Sequence, residues 1–138
     1  MKKILPYKKI IKASVVRGAG RGKKLGIATL NFDPNAARGL KEGIYVCRVI
    51  FPSTGSGQVS KPYWGVVHYG PRPVFNEPNH SFEAHLFDFR EVHKTKTADI
   101  EIYDFIRKVA NFKDKDALVA RINKDILFAR RKILSLET

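Results

Sequence analysis

The sequence predicts a mainly β fold, a small antiparallel β-barrel plugged or flanked by one C-terminal amphipathic α-helix. Short β-branched and aromatic runs recur through residues 10–107, divided by Gly, Pro and Asn. The apolar period then changes from two to three-and-four near Asp114. At 138 residues with 43% hydrophobic content, the chain is long enough to bury one core, and a single domain over 1–138 is expected.

Residues 10–16 are rich in Ile and Val and form the first predicted strand. Residues 17–42 follow as one long stretch containing Gly18, Gly20, Gly22, Gly26, Pro34 and Gly39, and a loop of that length in a small domain is usually functional. Residues 43–51 alternate Tyr45, Cys47 and Val49 with Ile44, Val46 and Ile50, which predicts a strand with two apolar faces. After a Ser/Gly turn at 53–57, the next strand covers 58–69, where Pro62 implies an edge, a bulge or a late start. Gly70-Pro71-Arg72-Pro73 ends it, and residues 80–89 and 97–107 are the fourth and fifth predicted strands. In the last of these, Ile100, Ile102 and Asp104 are placed on one face. Asp114 is positioned to cap a helix in which Leu118, Ile122, Ile126, Ala129 and Ile133 form a stripe. Arg130, Arg131 and Lys132 are expected near its end, where positive charge suits the helix dipole.

Lys and Arg number 26 against 13 Asp and Glu, a net charge of +13. Such an excess implies a polyanionic partner: nucleic acid, an anionic membrane or a phosphorylated small molecule. The single cysteine, Cys47, excludes an intramolecular disulfide and a cysteine-rich metal site. The N-terminus has charge without a sustained apolar run, and no window has the roughly 18 apolar residues of a membrane helix. A soluble cytoplasmic protein is expected.

The most informative stretch is Arg17-Gly18-Ala19-Gly20-Arg21-Gly22-Lys23-Lys24-Leu25-Gly26. Glycines at spacing two let backbone N–H groups approach an anion, and four basic side chains add charge for phosphates. A flexible basic loop, or one touching RNA, fits the same residues. Thr29 and Asn31 follow at spacing two, so an extended backbone projects a hydroxyl and an amide oxygen the same way. Oxygen donors of this kind suit Mg²⁺, although a surface pair beside the Asp33-Pro34 turn is the plainer reading. On the fourth strand Glu83, His85 and Phe87 share one face, with Phe82, Ala84 and Leu86 on the other. Glu83 is then either a solvent-facing carboxylate or a general base.

These segments resemble the riboflavin kinase family. In that family a Gly/Arg loop runs into Leu-Gly-Phe/Ile-Pro-Thr-Ala-Asn, matched here by Leu25-Gly26-Ile27-Ala28-Thr29-Leu30-Asn31. Glu83 and His85 match the family's Glu-x-His strand, while Gly70 to Phe75 is similar to its Gly-x-Arg-Pro-Thr-Phe turn. The resemblance implies a Greek-key barrel of about six strands. It also implies transfer of the ATP γ-phosphate to the ribityl 5′-hydroxyl of riboflavin, giving FMN and ADP. Thr29 and Asn31 would hold Mg²⁺ and phosphates, with Gly18, Gly20, Arg21, Gly22, Lys23 and Gly26 cradling the nucleotide. Glu83 would be the base, Arg107 would lie near flavin and phosphate, and Phe105 would line the isoalloxazine slot. His85 is assigned a structural role, and His68, His80 and His93 are read as surface or packing residues.

The sequence departs from the family pattern in several places. Ala28 replaces Pro, Leu30 replaces Ala, Val74 replaces Thr and Val109 replaces Glu, while Val92-His93-Lys94-Thr95 stands where the family has an Asp-Leu-Tyr-Gly flap. A flavin- or nucleotide-binding relative with little turnover is therefore one alternative. A basic barrel binding nucleic acid through Tyr63, Trp64 and Tyr69 is another. No His-x-Gly-His sequence occurs, so the expected form is the stand-alone kinase module, as a monomer, with no nucleotidyltransferase domain.

Overall fold

The computed structural model describes residues 7–16, 29–52, 62–71, 80–89 and 96–137. Six strands, β1 (Lys9–Val16), β2 (Thr29–Phe32), β3 (Gly43–Ile50), β4 (Pro62–Pro71), β5 (His80–Leu86) and β6 (Thr97–Arg107), precede one helix, α1 (Lys115–Glu137). They close into a barrel in the order β1-β2-β5-β4-β3-β6, antiparallel at every pairing. Strands β3, β4 and β5 are successive neighbours, and β2 lies beside β5, which is the Greek-key order.

The alternation read from the sequence sorts side chains into two layers. Tyr45, Cys47, Val49, Val67, Tyr69, Phe82, Ala84, Leu86, Ile100 and Ile102 fill the barrel. Ile44, Val46, Val66 and Tyr103 point outward and are covered by Ala129 and Ile133 of α1. The helix begins as expected, with the Ala117 amide donating to the Asp114 carboxylate at 2.9 Å. It continues to Glu137, leaving no basic residue in its last turn, so the expected dipole role of Arg130, Arg131 and Lys132 is corrected. Two of these side chains instead grip the barrel. Arg130 lies 4.3 Å from the centroid of Phe87 and Lys132 pairs with Asp104 at 3.3 Å.

Other boundaries moved for local reasons. The stretch at 17–42 is not all loop, because Thr29–Phe32 is a strand and Pro34–Ala37 a 3-10 turn capped by Asp33. The fourth predicted strand ends at Leu86 because Asp88 takes a left-handed backbone, φ 57°, a conformation Asp tolerates. Register shifts where β6 meets β3 carry Phe105, rather than Asp104, onto the interior cluster. Tyr69 is buried in the barrel, Trp64 packs on Tyr103, and Tyr63 packs on Phe51 and Phe89. All three rings suggested as a nucleic-acid platform are thus engaged in packing.

At Gly65 of β4 the backbone of β5 comes close. A Cβ there would collide with the carbonyl oxygen of His85, which is backbone and cannot swing away. Gly65→Ala is expected to destabilise the fold by about 2 kcal/mol through overpacking, seen as a lower midpoint in denaturant titration with an unchanged slope.

Candidate active site

Strand pairing assembles what the chain keeps apart. Asn31 of β2 lies opposite Glu83 of β5, and Glu83 lies opposite His68 of β4. His68 in turn faces Ile44 of β3, which faces Arg107 of β6. One outward row therefore reads Asn31, Glu83, His68, Ile44, Arg107 across five strands. The inward neighbours Phe32, Phe82, Ala84, Val67 and Tyr69 are fixed in the core, so the pleat sends Thr29, Asn31, Glu83, His85 and His68 to the outer face. Thr29 stands opposite His85, with Oγ1 3.1 Å from its Nδ1. The two oxygen donors expected at Thr29 and Asn31 thus share a face with the carboxylate expected at Glu83. Among the described residues, no three His, Cys, Asp or Glu side chains group as a metal cluster. Hydroxyl, amide and carboxylate oxygens are nonetheless the donors a hard cation takes.

Arg107 is seated firmly. Its Nε donates to both Asp125 carboxylate oxygens at 2.9 and 3.1 Å, Nη2 donates at 2.8 Å, and Nη1 donates to the Lys108 carbonyl at 3.1 Å. Its guanidinium carbon also lies 5.6 Å from the Phe112 ring centroid. Arg107 therefore ties β6 to α1 at the margin of the polar row. Asp125, which sequence reasoning overlooked, is among the buried residues of the helix. An acidic residue placed three after Ile122 and four before Ala129, on the apolar stripe, was the available signal. Phe105 packs edge-on against Tyr45 at 5.3 Å, with the Lys41 ammonium 4.6 Å from its ring centroid. Its ring belongs to the end of the barrel core. Gly18, Gly20, Arg21, Gly22, Lys23 and Gly26 lie outside the described residues, as do Arg72 and Val92 to Thr95.

His68, expected as a surface or packing residue, is buried and lies inside the polar row. Its Nε2 lies 3.0 Å from the Pro71 carbonyl and its Nδ1 3.0 Å from the Ser81 hydroxyl. A carbonyl only accepts, so Nε2 carries the hydrogen and Nδ1 accepts from Ser81. Burial lowers its pKa from 6.5 to about 4, against an upward pull from Glu83. Burial likewise lowers that of His85. Both rings are therefore neutral near pH 7. Since the unfolded chain binds these protons more readily, stability is greatest above pH 6.5 and declines below it, for His68 as pH falls towards 4. For His68 the shift from 6.5 to about 4 corresponds to about 3 kcal/mol. Thermal melts are expected to drop across that window in the native chain and to drop less in His68→Gln.

Comparison with known proteins shows the family of the chain. A family model, flavokinase (riboflavin kinase), matches residues 5–133. The chain belongs to the riboflavin kinase family and is an enzyme of that class. It is 33% identical over 135 residues to the riboflavin kinase of Homo sapiens, covering 94% of this chain and 82% of the human one. It is 34% identical over 116 residues to the trifunctional protein RibF/MnmA of Mycoplasmoides gallisepticum, covering 83% of this chain but only 17% of that protein. A solved structure described as a macrolide-efflux protein from Streptococcus pneumoniae superposes with a TM-score of 0.65 at 25% identity. That match covers 88% of this chain and 38% of the other. Among the described residues no helix is long and apolar enough to cross a membrane.

Proposed function

We propose that the chain transfers the γ-phosphoryl group of ATP to the ribityl 5′-hydroxyl of riboflavin, with Glu83 as the base. The observation that carries this reading is the direct pairing of Asn31 with Glu83 on neighbouring strands, with Thr29 on the same outer face. In the reaction Glu83 accepts the hydroxyl proton, the ribityl oxygen bonds to the γ-phosphorus, and the bond from that phosphorus to the bridging oxygen breaks. FMN and ADP are the products. Positioning and charge neutralisation supply most of the rate in such transfers, so one well-placed base is sufficient.

Thr29 and Asn31 are the residues that would hold Mg²⁺, and their oxygens beside a carboxylate fit a hard cation. Bound there, Mg²⁺ would neutralise phosphate charge. The glycine-rich run from Gly18 to Gly26, with Arg21 and Lys23, is proposed to close over the phosphates through its amides and basic side chains. Arg107 and Phe105 are proposed to border the flavin. In this role Arg107 keeps its partner Asp125 and offers a fixed positive edge, not a freely swinging one.

Thr29→Ala removes one of the two oxygen donors and keeps the base. It is expected to raise KM for Mg-ATP about tenfold or more, with riboflavin binding unchanged when followed by flavin fluorescence. Unaltered nucleotide kinetics in the folded variant would remove Thr29 from the site.

A further inference from the structure

The side of α1 turned away from the barrel differs from an ordinary solvated helix face. Ile122, Asp125, Ala129 and Ile133 are the buried residues of the helix. Away from them, Leu127 is 61% and Leu134 66% exposed, and Phe128 is 39% exposed. Leu127 and Leu134 are seven residues apart, so they stand on one side of the helix about 10 Å from each other. Lys124 and Arg131 lie three residues before each leucine, which makes them its neighbours on the helix surface. Lys124, Arg130 and Arg131 are exposed, and among the described residues neither Lys124 nor Arg131 makes an ion pair. Between Asp116 and Glu137 the helix has one carboxylate, Asp125, and it is buried. About five turns of outer surface therefore set two leucines among cations, with no exposed acidic group between them.

We propose that this face of α1 docks on the surface of a bilayer containing anionic phospholipid. Leu127 and Leu134 insert among the headgroups, while Lys124, Arg130 and Arg131 meet lipid phosphates. The helix lies in the interfacial plane and stays packed on the barrel through Ala129 and Ile133. The uncompensated cations select an anionic surface, and the leucines select lipid among such surfaces. Nucleic acid offers sugar and phosphate, which give aliphatic tips nothing to bury into. A protein partner needs about 800 Å² a side, more than three partly exposed side chains on one helix supply. A second copy of the chain brings the same unpaired cations against each other. A bilayer takes up single side chains one by one, and each basic residue near its surface adds attraction. The attachment also gives a use to basic residues of α1 that phosphoryl transfer does not employ.

The test is flotation of the full chain with vesicles of phosphatidylcholine, alone or with about 30% phosphatidylserine. The native chain is expected to float with the anionic vesicles, to stay behind with phosphatidylcholine alone, and to be released by high salt. Lys124→Gln/Arg131→Gln is expected to weaken binding about thirtyfold, the factor that two basic residues at such a surface contribute. Lys9→Gln/Lys12→Gln removes the same charge from β1 and is expected to change binding by no more than about threefold. Leu127→Ser/Leu134→Ser keeps every charge and is expected to weaken binding about tenfold or more. These positions are exposed, so the variants are expected to melt like the native chain and to form FMN in solution at its rate. No flotation of the native chain overturns the proposal. So does native-like binding by the leucine variant, or equal loss from the β1 and α1 charge variants, since either means adsorption by net charge alone. Salt-sensitive oligonucleotide binding without flotation assigns the face to nucleic acid instead. A dimer in light scattering that the leucine variant dissolves assigns it to a second copy.

Discussion

Glu83→Gln is expected to lower kcat by about 10³-fold, the span a positioned general base contributes, and to leave the fold and riboflavin binding nearly intact. The amide has the same shape and no basic lone pair at neutral pH, so proton removal is lost while the side-chain volume is kept. Its place in the structure makes this a clean substitution. Glu83 lies on the outer face of β5, between Asn31 and His68, while the adjacent Phe82 and Ala84 carry the core packing. Thermal melting and flavin fluorescence are expected to match those of the native chain while FMN formation collapses. A variant that turns over normally would transfer the proton-accepting role elsewhere.

Asp125→Ala is expected to produce the largest loss of stability, about 3–5 kcal/mol, the usual cost of breaking a buried ion pair by removing one partner. The carboxylate accepts from both Nε and Nη2 of Arg107, and only 3% of the Asp125 side chain and 12% of the Arg107 side chain are exposed. Removing it leaves a buried guanidinium whose remaining hydrogen bond, among the described residues, goes to the Lys108 carbonyl. It also removes the main polar link between β6 and α1, so the helix is expected to loosen from the barrel before the barrel melts. Hydrogen exchange should show this as faster exchange in α1 than in β3 and β4. Arg107→Met, which fills similar volume without charge, is expected to cost less, because Arg121, with Nε 3.6 Å from Oδ1, still faces the carboxylate.

Much of this architecture was legible in the chain. Strand β6 was placed with its observed bounds because apolar residues alternate from Ala98 to Ile102 between polar flanks. The helix announced itself through the change of period and the Asp114 cap. Strand β2 was hidden because four residues, two of them polar, give too short an alternation to distinguish from loop. The spacing of Thr29 and Asn31 still told that their side chains project together, and the resemblance singled out Glu83. What no local pattern contained was the register. Asn31, Glu83 and His68 are remote in sequence and meet only because β2 crosses to β5, skipping β3 and β4. His68 therefore reads from the sequence only as a surface or packing residue, since it shares no metal-ligand spacing with His80 and His93 and nothing local reveals which polar groups lie across the strand gap. Asp125 was missed for a related reason: its partner Arg107 stands on a strand, and helical periodicity alone names no partner.

The charge excess is partly placed by the structure. Arg48 pairs with the buried Glu101 at 2.6 Å, Arg107 with Asp125, and Lys132 with Asp104. These cations hold the helix and strands together. The phosphate-binding work proposed above falls instead to the loop that begins at Arg17.

The most direct measurement is phosphoryl transfer itself: purified protein incubated with riboflavin and Mg-ATP, with FMN and ADP quantified over time. The account predicts FMN and ADP formed in equal amounts by the native chain and neither by Glu83→Gln. Riboflavin bound by the native chain with no FMN formed, or FMN formed equally well by Glu83→Gln, would contradict it.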